Sequence, residues 1–327
     1  MKAIVYTRYG PPDVLRLQDV AKPVPKNNEV LIKVMAVGAT KSDCEMRSFK
    51  FAVKWFWLPL RIALGLFKPK KPVLGGYFAG KVVEIGSDVT KLKAGDKIYG
   101  TTKFRFGAYA EFLSLPEDYL LKPIPKNASY VEAASVPLGG LNALHFMRKA
   151  NIQEGENVLI NGAGGSIGVY ALQIAKSMGA KVTAVDSSIK KEMLIRIAAD
   201  HFIDYTEEDF TRSENSYDVI FNIVAGSSYG SCIKLLKPKG RYLMGNPRLI
   251  DMLRSIVTPI LTDKQVIFAF AGEKEEELDA LTKLIEAGKL MPVVDKIFPL
   301  EETAKAHQRV EKEERSGPVV IEVATDN

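Results

Sequence analysis

The chain has 327 residues, 46% of them apolar and 26% charged, with a net charge of +6. This length and composition fit two globular domains with large cores, and they exclude disordered, collagen-like and disulfide-scaffold classes. Two cysteines, Cys44 and Cys232, cannot build a disulfide framework or a four-cysteine zinc lobe, and the opening Met1-Lys-Ala-Ile-Val-Tyr enters a strand pattern with no signal-peptide core, so a reducing cytoplasm is the expected compartment.

The first part of the chain reads as β-rich. Short apolar or alternating runs at 2–7, 30–37, 80–85 and 110–116 are bounded by turn residues such as Gly86-Ser-Asp and Ala94-Gly-Asp. Between them, residues 46–83 hold Arg47, Lys50, Lys54, Arg61, Lys68, Lys70, Lys71 and Lys81 but no acid. These cations interleave with Trp55, Phe56, Trp57, Leu58, Ile62 and Phe67, without a recognisable nucleic-acid module, so no nucleic-acid partner is expected. The apolar run is too short to span a bilayer and carries Pro59 and Arg61. Two readings of 49–71 stay open: a helical lid that buries its aromatics over an apolar pocket, or a peripheral membrane contact. Both imply a small hydrophobic substrate.

From about residue 130 the pattern becomes helix and strand in alternation. Helices are expected at 130–150, 167–178, 189–198 and 227–236, and strands at 181–185, 201–204, 217–224, 240–244 and 265–271. Such alternation marks a doubly wound parallel sheet. The tail reads as helices at 274–288 and 301–313 and a strand at 319–323, which lacks a local partner and is expected to return to the first domain.

Residues 158–168, Val-Leu-Ile-Asn-Gly-Ala-Gly-Gly-Ser-Ile-Gly, carry an apolar strand into a glycine cluster and then a helix. Glycines let the backbone approach a dinucleotide pyrophosphate, and the helix N-terminus supplies N–H groups and a positive dipole end. Gly162, Gly164, Gly165, Ser166 and Ile167 are the expected pyrophosphate turn of a Rossmann domain. The next strand ends at Asp186, about 20 residues on, where an acid meets the adenosine ribose. Ser187, Ser188, Lys190 and Lys191 follow it, either as partners of a 2′-phosphate or as solvated residues of an exposed helical turn.

With these segments in order, the chain resembles the medium-chain dehydrogenase/reductase superfamily, in its zinc-independent, quinone-oxidoreductase-like branch. The resemblance runs through Glu29-Val-Leu-Ile-Lys-Val, Gly80-Lys-Val-Val-Glu-Ile-Gly, Lys93-Ala-Gly-Asp-Lys-Ile-Tyr-Gly, Phe106-Gly-Ala-Tyr-Ala-Glu-Phe, Glu132-Ala-Ala-Ser-Val-Pro, the glycine cluster and Ala199-Asp-His-Phe-Ile-Asp-Tyr. It implies an α/β chain in which a GroES-like catalytic domain (1–127 and 273–327) accompanies a Rossmann cofactor domain (128–272), with the active site in the cleft between. It also implies NADPH or NADH as cofactor. The zinc ligands of the superfamily's alcohol dehydrogenases would fall at Thr40, Gly76 and Leu138, none of which suits zinc, so no metal is expected. His145, His201 and His307 are too scattered to form a site and read as surface or packing residues.

Thr40 and Asp43 lie on the loop that faces the nicotinamide in the family, with Asp43 either anchoring that loop or joining a proton relay. Tyr77 is either a hydrogen-bond donor to a developing oxyanion or a packed core aromatic. Asn142, Gly245, Asn246, Phe270 and Ala271 correspond to positions near the nicotinamide half, and Tyr205 to the adenosine end. Thr40-Lys41, Gly76-Tyr77, Asn142 and Pro318 depart from the branch's usual residues. Without a Lewis acid, hydride delivery to an electron-poor acceptor is favoured over oxidation of simple alcohols. The expected function is reduction of a quinone or α,β-unsaturated carbonyl. The alternatives are an alcohol/aldehyde dehydrogenase-reductase of the same superfamily and a non-catalytic nucleotide-binding scaffold. The apolar last strand, 266–270, would be an exposed edge if unpaired, so a homodimer is expected.

Overall fold

A computed structural model describes residues 1–51, 57–213, 215–269 and 272–325. The first part of the chain forms β1 (Lys2–Val5), β2 (Arg16–Asp19), β3 (Glu29–Ala39), α1 (Lys41–Ser48), α2 (Trp57–Leu64), β4 (Tyr77–Ile85), β5 (Lys97–Thr101), β6 (Phe112–Pro116) and β7 (Leu121–Pro123). The middle forms α3 (Tyr130–Ala150), β8 (Asn157–Asn161), α4 (Gly168–Ser177), β9 (Lys181–Asp186), α5 (Lys191–Arg196), β10 (His201–Asp204), β11 (Tyr217–Asn222), α6 (Tyr229–Lys234), β12 (Leu236–Met244), α7 (Leu249–Leu261) and β13 (Gln265–Phe268). The last part forms α8 (Glu275–Glu286), β14 (Lys296–Pro299), α9 (Thr303–Glu311) and β15 (Val319–Glu322). Two compact units result: Met1–Pro137 with Glu273–Glu286 and Pro292–Asn327, and Leu138–Gly272 with Ala287–Met291. The boundary falls inside α3, between Pro137 and Leu138.

The first unit is built on a seven-stranded sheet in the order β14-β15-β3-β4-β5-β7, with β6 also on β3. The tail strand β15 pairs antiparallel with β3, Val319 opposite Ala39 and Ile321 opposite Val37. Val319, Val320 and Ile321 are wholly buried there, which explains a strand that has no partner near it in sequence. Helix α1 was not expected from the apolar pattern. It starts at a capping box, in which the Thr40 side chain accepts from the Asp43 N–H and the Asp43 side chain accepts from the Thr40 N–H.

Among the described residues, α2 holds the basic, aromatic segment to the first unit through Arg61. The guanidinium stacks over Tyr9 at 4.1 Å and Phe49 at 4.3 Å, and its Nε donates to the Leu66 carbonyl. Arg61 is therefore engaged within the fold, not presented to headgroups. Trp57, Leu58, Ile62 and Phe67 are exposed, contrary to the expectation that a lid would bury its apolar residues. Trp55 and Phe56 lie outside the described residues.

The second unit holds a six-stranded, all-parallel sheet in the order β10-β9-β8-β11-β12-β13. Chain order reverses between β8 and β11, so the glycine cluster at the end of β8 sits at the switch point where such sheets bind ligands. Helix α7 had no forecast from the sequence, and it is inverted. It buries Asp251 and Ser255 while Leu249, Leu253, Ile256 and Ile260 are exposed. Asp251 is neutralised by Arg248 at 2.7 Å and Arg254 at 3.2 Å.

A buried carboxylate, paired with a half-buried arginine, fastens β3 to its neighbours. Glu29 accepts from Arg105 Nη1 and Ser114 Oγ, both at 2.8 Å. Burial would raise the Glu29 pKa, but these hydrogen bonds outweigh it and hold the carboxyl below its usual range. Glu29→Ala leaves Arg105 and Ser114 without their acceptor. It is expected to cost about 2–4 kcal/mol in urea unfolding at neutral pH.

Candidate active site

In the second unit the turn after β8 has the geometry of a phosphate cradle. Gly162 takes φ +87°, a conformation that disfavours any side chain. A Cβ at Gly168 would come within 2.3 Å of the Gly162 carbonyl, so that glycine is required for α4 to begin where it does. A Cβ at Gly139, in α3, would meet the Ser166 carbonyl at 2.0 Å, so the helix backbone packs directly on the loop. Around Gly165, by contrast, a Cβ would meet only the Gly162 carbonyl at 3.5 Å. This combination of a left-handed glycine, an open face at Gly165 and a helix start of ten residues fits a pyrophosphate.

The structure brings the predicted adenosine-end residues together around Asp186. Its Oδ2 accepts from the Gly164 N–H at 2.7 Å, its Oδ1 from the Ser187 N–H at 2.9 Å, and the Tyr205 N–H donates to its carbonyl at 3.3 Å. Lys190, read either as a partner of a 2′-phosphate or as a solvated residue of an exposed helical turn, is buried, its Nζ 2.7 Å from Asp186 Oδ1. Ser188, Lys191 and Tyr205 are exposed, with Lys191 over the Phe202 ring. Gly245 N–H donates to the Asn222 carbonyl, and Asn246 Nδ2 to the Ile223 carbonyl, both at 2.8 Å. These bonds place the end of β12 beside the glycine turn, since Ile223 and Val224 border Gly162. Asn142 donates to the Leu138 carbonyl of its own helix, one turn back, at 2.8 Å. Phe270 and Ala271 lie outside the described residues.

Beneath the turn is a polar network that the sequence reading missed. Asn161 Nδ2 donates to Asn222 Oδ1 at 2.9 Å and to Ser227 Oγ at 3.0 Å, and Asn222 Nδ2 donates to Tyr242 Oη at 3.0 Å. Both asparagines are buried. The signal was present: each is a lone amide closing an otherwise apolar parallel strand, Val-Leu-Ile-Asn161 and Val-Ile-Phe-Asn222.

In the first unit, Thr40 and Asp43 form the head of a buried chain. Asp43 accepts from Thr40 Oγ1 at 2.5 Å, the Thr40 N–H at 3.1 Å and the Gly75 N–H at 3.2 Å. The Tyr109 hydroxyl donates to the same carboxylate and stands 3.1 Å from His307 Nε2. With Tyr109 donating to Asp43, its oxygen accepts from Nε2–H, which assigns the His307 tautomer. Burial pushes the Asp43 pKa up, and the four donors oppose it. Tyr77, the first residue of β4, is half-buried, and burial keeps its hydroxyl protonated by raising its pKa. The buried Cys44 thiol is likewise pushed up by burial and is no ready nucleophile. Tyr109 beside Asp43, and His307 beside Tyr109, were not anticipated; 198 residues separate Tyr109 from His307 in sequence.

Two family descriptions match the chain: "alcohol dehydrogenase GroES-like domain" over residues 26–126 and "zinc-binding dehydrogenase" over residues 197–321. The chain is 33% identical to 2-methylene-furan-3-one reductase of Solanum lycopersicum, across 98% of this chain and 79% of that protein. It is 33% identical to a chloroplastic NADPH-dependent alkenal/one oxidoreductase of Arabidopsis thaliana, with the same coverage. Among solved structures, the quinone oxidoreductase from Coxiella burnetii superposes with a TM-score of 0.87 at 30% identity, covering 99% of each chain. The CurK enoyl reductase superposes with a TM-score of 0.84 at 26% identity, again over 99% of each.

Burial, with the Arg47 charge beside it, lowers the His307 pKa from the ordinary 6.5 to about 3. The folded state therefore binds fewer protons than the unfolded state between those values. Its contribution to stability is complete above about pH 6.5 and falls by about 1.4 kcal/mol per pH unit as the pH drops toward 3. His307→Gln retains an N–H donor for Tyr109 but does not titrate. Urea unfolding at pH 7.5, 6 and 5 should give a shallower decline for this variant than for the parent, and equal slopes would exclude the assignment.

Proposed function

Because the chain belongs to the quinone-oxidoreductase-like branch of the medium-chain dehydrogenase/reductase superfamily, we propose that it is an NAD(P)H-dependent reductase of quinones or α,β-unsaturated carbonyls. The observation that carries the reading is the β8–α4 glycine turn at the sheet's switch point, with Asp186 at the end of the neighbouring strand. The names of the relatives favour conjugated acceptors over simple alcohols. So does the chemistry of Thr40, Gly76 and Leu138, none of which offers a zinc ligand.

When bound, the dinucleotide supplies the hydride. The protein's own contribution is positioning. Gly162 to Gly168 and the first turn of α4 hold the pyrophosphate, while Asp186, Ser187 and Tyr205 border the adenosine end. Gly245 and Asn246, with Asn142, belong to the nicotinamide half, and Phe270 and Ala271 are assigned there from the sequence. Asp43 fixes the Thr40 hydroxyl by the capping box, so Thr40 does not swing freely. Tyr77, kept protonated by burial, donates a hydrogen bond to the oxygen on which charge develops. The buried chain from Asp43 ends at His307, so we assign it to holding Thr40 in place, not to carrying protons outward. A cytoplasmic, zinc-free enzyme acting on a small hydrophobic substrate completes the reading.

The test is steady-state oxidation of NADPH and NADH against a panel of a short quinone, an enal, a saturated aldehyde and a primary alcohol. Turnover of the first two, unaffected by a chelator, is expected. Tyr77→Phe should lower kcat about tenfold or more with KM little changed. Turnover of the saturated aldehyde and alcohol alone would replace this reading with an alcohol dehydrogenase, and no turnover at all would replace it with a binding scaffold.

We also propose a homodimer. Among the described residues, β13 ends the parallel sheet with an unpaired edge, and α7, packed on β13, exposes Leu253, Ile256 and Ile260. A second copy pairing along β13 would cover both. Light scattering should give twice the 36.1 kDa chain mass, and Ile256→Glu with Ile260→Glu should shift it to the monomer. A monomeric parent protein at micromolar concentration would rule the dimer out.

A further inference from the structure

Apart from Arg61, every residue of α2 is apolar, and Arg61 is turned into the protein, over the Tyr9 and Phe49 rings. Trp57 meets the Phe49 ring as well, at 5.7 Å. A surface helix ordinarily shows its polar face to water; this one shows Leu58, Ile62 and Ala63. The turn after it adds Leu66 and Phe67, the latter 87% exposed. The backbone beneath these side chains is satisfied from within the protein. Lys70 Nζ donates to the Ile62 carbonyl at 3.0 Å, and the Lys70 N–H to the Leu64 carbonyl at 2.8 Å. The Tyr9 hydroxyl donates to the Gly65 carbonyl at 2.9 Å, and Arg61 Nε to the Leu66 carbonyl at 2.7 Å. Gly65 takes φ +127°, and a Cβ there would stand 2.0 Å from the Lys68 carbonyl, so the turn that projects Phe67 requires a glycine. The charge around this surface has one sign: no acid occurs between Glu45 and Glu84, and the exposed Lys68 and Lys71 follow Phe67.

We propose that α2 and the turn up to Lys71 form a docking surface for an anionic phospholipid bilayer. Ile62, Leu66 and Phe67 enter the boundary between headgroups and acyl chains, and Lys68 and Lys71 meet the anionic headgroups. Carbonyls that are already hydrogen-bonded can leave water at little cost, whereas free ones could not. The contact is peripheral: eight helical residues rise only about 12 Å, and among the described residues no helix is long and apolar enough to cross a membrane. A second copy seated two-fold on the same surface would bring lysines against lysines, with no acid in the segment to offset them. An anionic bilayer matches both the apolar side chains and their cationic border. Nothing in this assignment depends on the reductase reading.

The experiment is co-sedimentation of the full chain with two kinds of vesicle, phosphatidylcholine alone and phosphatidylcholine mixed with phosphatidylserine. The parent protein should pellet with the mixed vesicles and be released at high ionic strength. Its tryptophan emission should shift to the blue on binding, a readout specific to this surface because the two tryptophans of the chain, Trp55 and Trp57, both lie in the segment. Ile62→Ser with Phe67→Ser should weaken binding to the mixed vesicles about tenfold or more. Lys68→Gln with Lys71→Gln should weaken it to a similar extent, about tenfold, and remove the salt dependence. Circular dichroism matching the parent checks that each variant is folded; if the serine pair is not, the lysine pair, on exposed side chains, decides. No pelleting, equal pelleting with both kinds of vesicle, or binding that both variants retain would each overturn the proposal. So would a serine pair that loses self-association in light scattering but keeps its vesicle binding, which would give the surface to a second copy.

Discussion

A buried carboxylate is tolerable only when donors meet its oxygens, since an unpaired one costs several kcal/mol in a low-dielectric interior. That constraint organises both units of this protein. Asp43 gathers Thr40 from its own turn, Gly75 from the loop before β4, and Tyr109 from the loop before β6. Through Tyr109 it also reaches His307 on α9. Asp186 gathers the Gly164 N–H from the glycine turn, its neighbour Ser187, and Lys190. In each case one acid fixes a loop, and local donors are joined by at least one from a segment remote in sequence, Gly75 and Tyr109 for Asp43 and Gly164 for Asp186.

The same logic explains why both carboxylates lie next to glycines. A loop that closes on an acid needs backbone N–H groups aimed inward, and a side chain on the donor residue obstructs the approach. Gly75 takes φ +97°, and a Cβ there would stand 2.9 Å from Tyr109. A Cβ at Gly164 would meet both Lys190 and Asp186 Oδ2. Polar satisfaction and close backbone packing are therefore a single requirement at these positions.

α7 is the converse case. Its carboxylate, Asp251, is buried and neutralised by two arginines, while isoleucines and leucines face outward. Burying those residues against the sheet would have been worth about 25 cal/mol per Å² of apolar surface. The helix forgoes this and leaves those side chains exposed beside β13, on which it packs. Arg61 on α2 makes a different compromise. It covers aromatic faces of Tyr9 and Phe49 with its guanidinium, so a segment that reads as cationic and lipid-seeking is in part an internal brace.

Periodicity and turn chemistry in the sequence were enough to determine the parallel-sheet unit, the glycine turn and Asp186 as the acid closing β9, while the family resemblance, not the pattern, pointed to Thr40, Gly76 and Leu138 as the positions matching zinc ligands elsewhere in the superfamily. These are local features: a strand, a turn and a helix within 30 residues, or the identity of a side chain at a matched position. The helix α1 was not expected, since Thr40 and Asp43 read as loop residues and its apolar content gave no periodic stripe; its one local signal is the Thr40-Lys-Ser-Asp43 capping box. What only the tertiary structure decided were the pairings across long separations: β15 against β3, Tyr109 and His307 behind Asp43, and Asn161 with Asn222 under the turn. It also decided the inward turn of Lys190, because whether a lysine faces solvent or an acid depends on the space that Gly164 leaves for its stem. A one-dimensional pattern records which residues are near in sequence; charge pairing and hydrogen bonding depend on which atoms come within about 3 Å of each other in the packed fold.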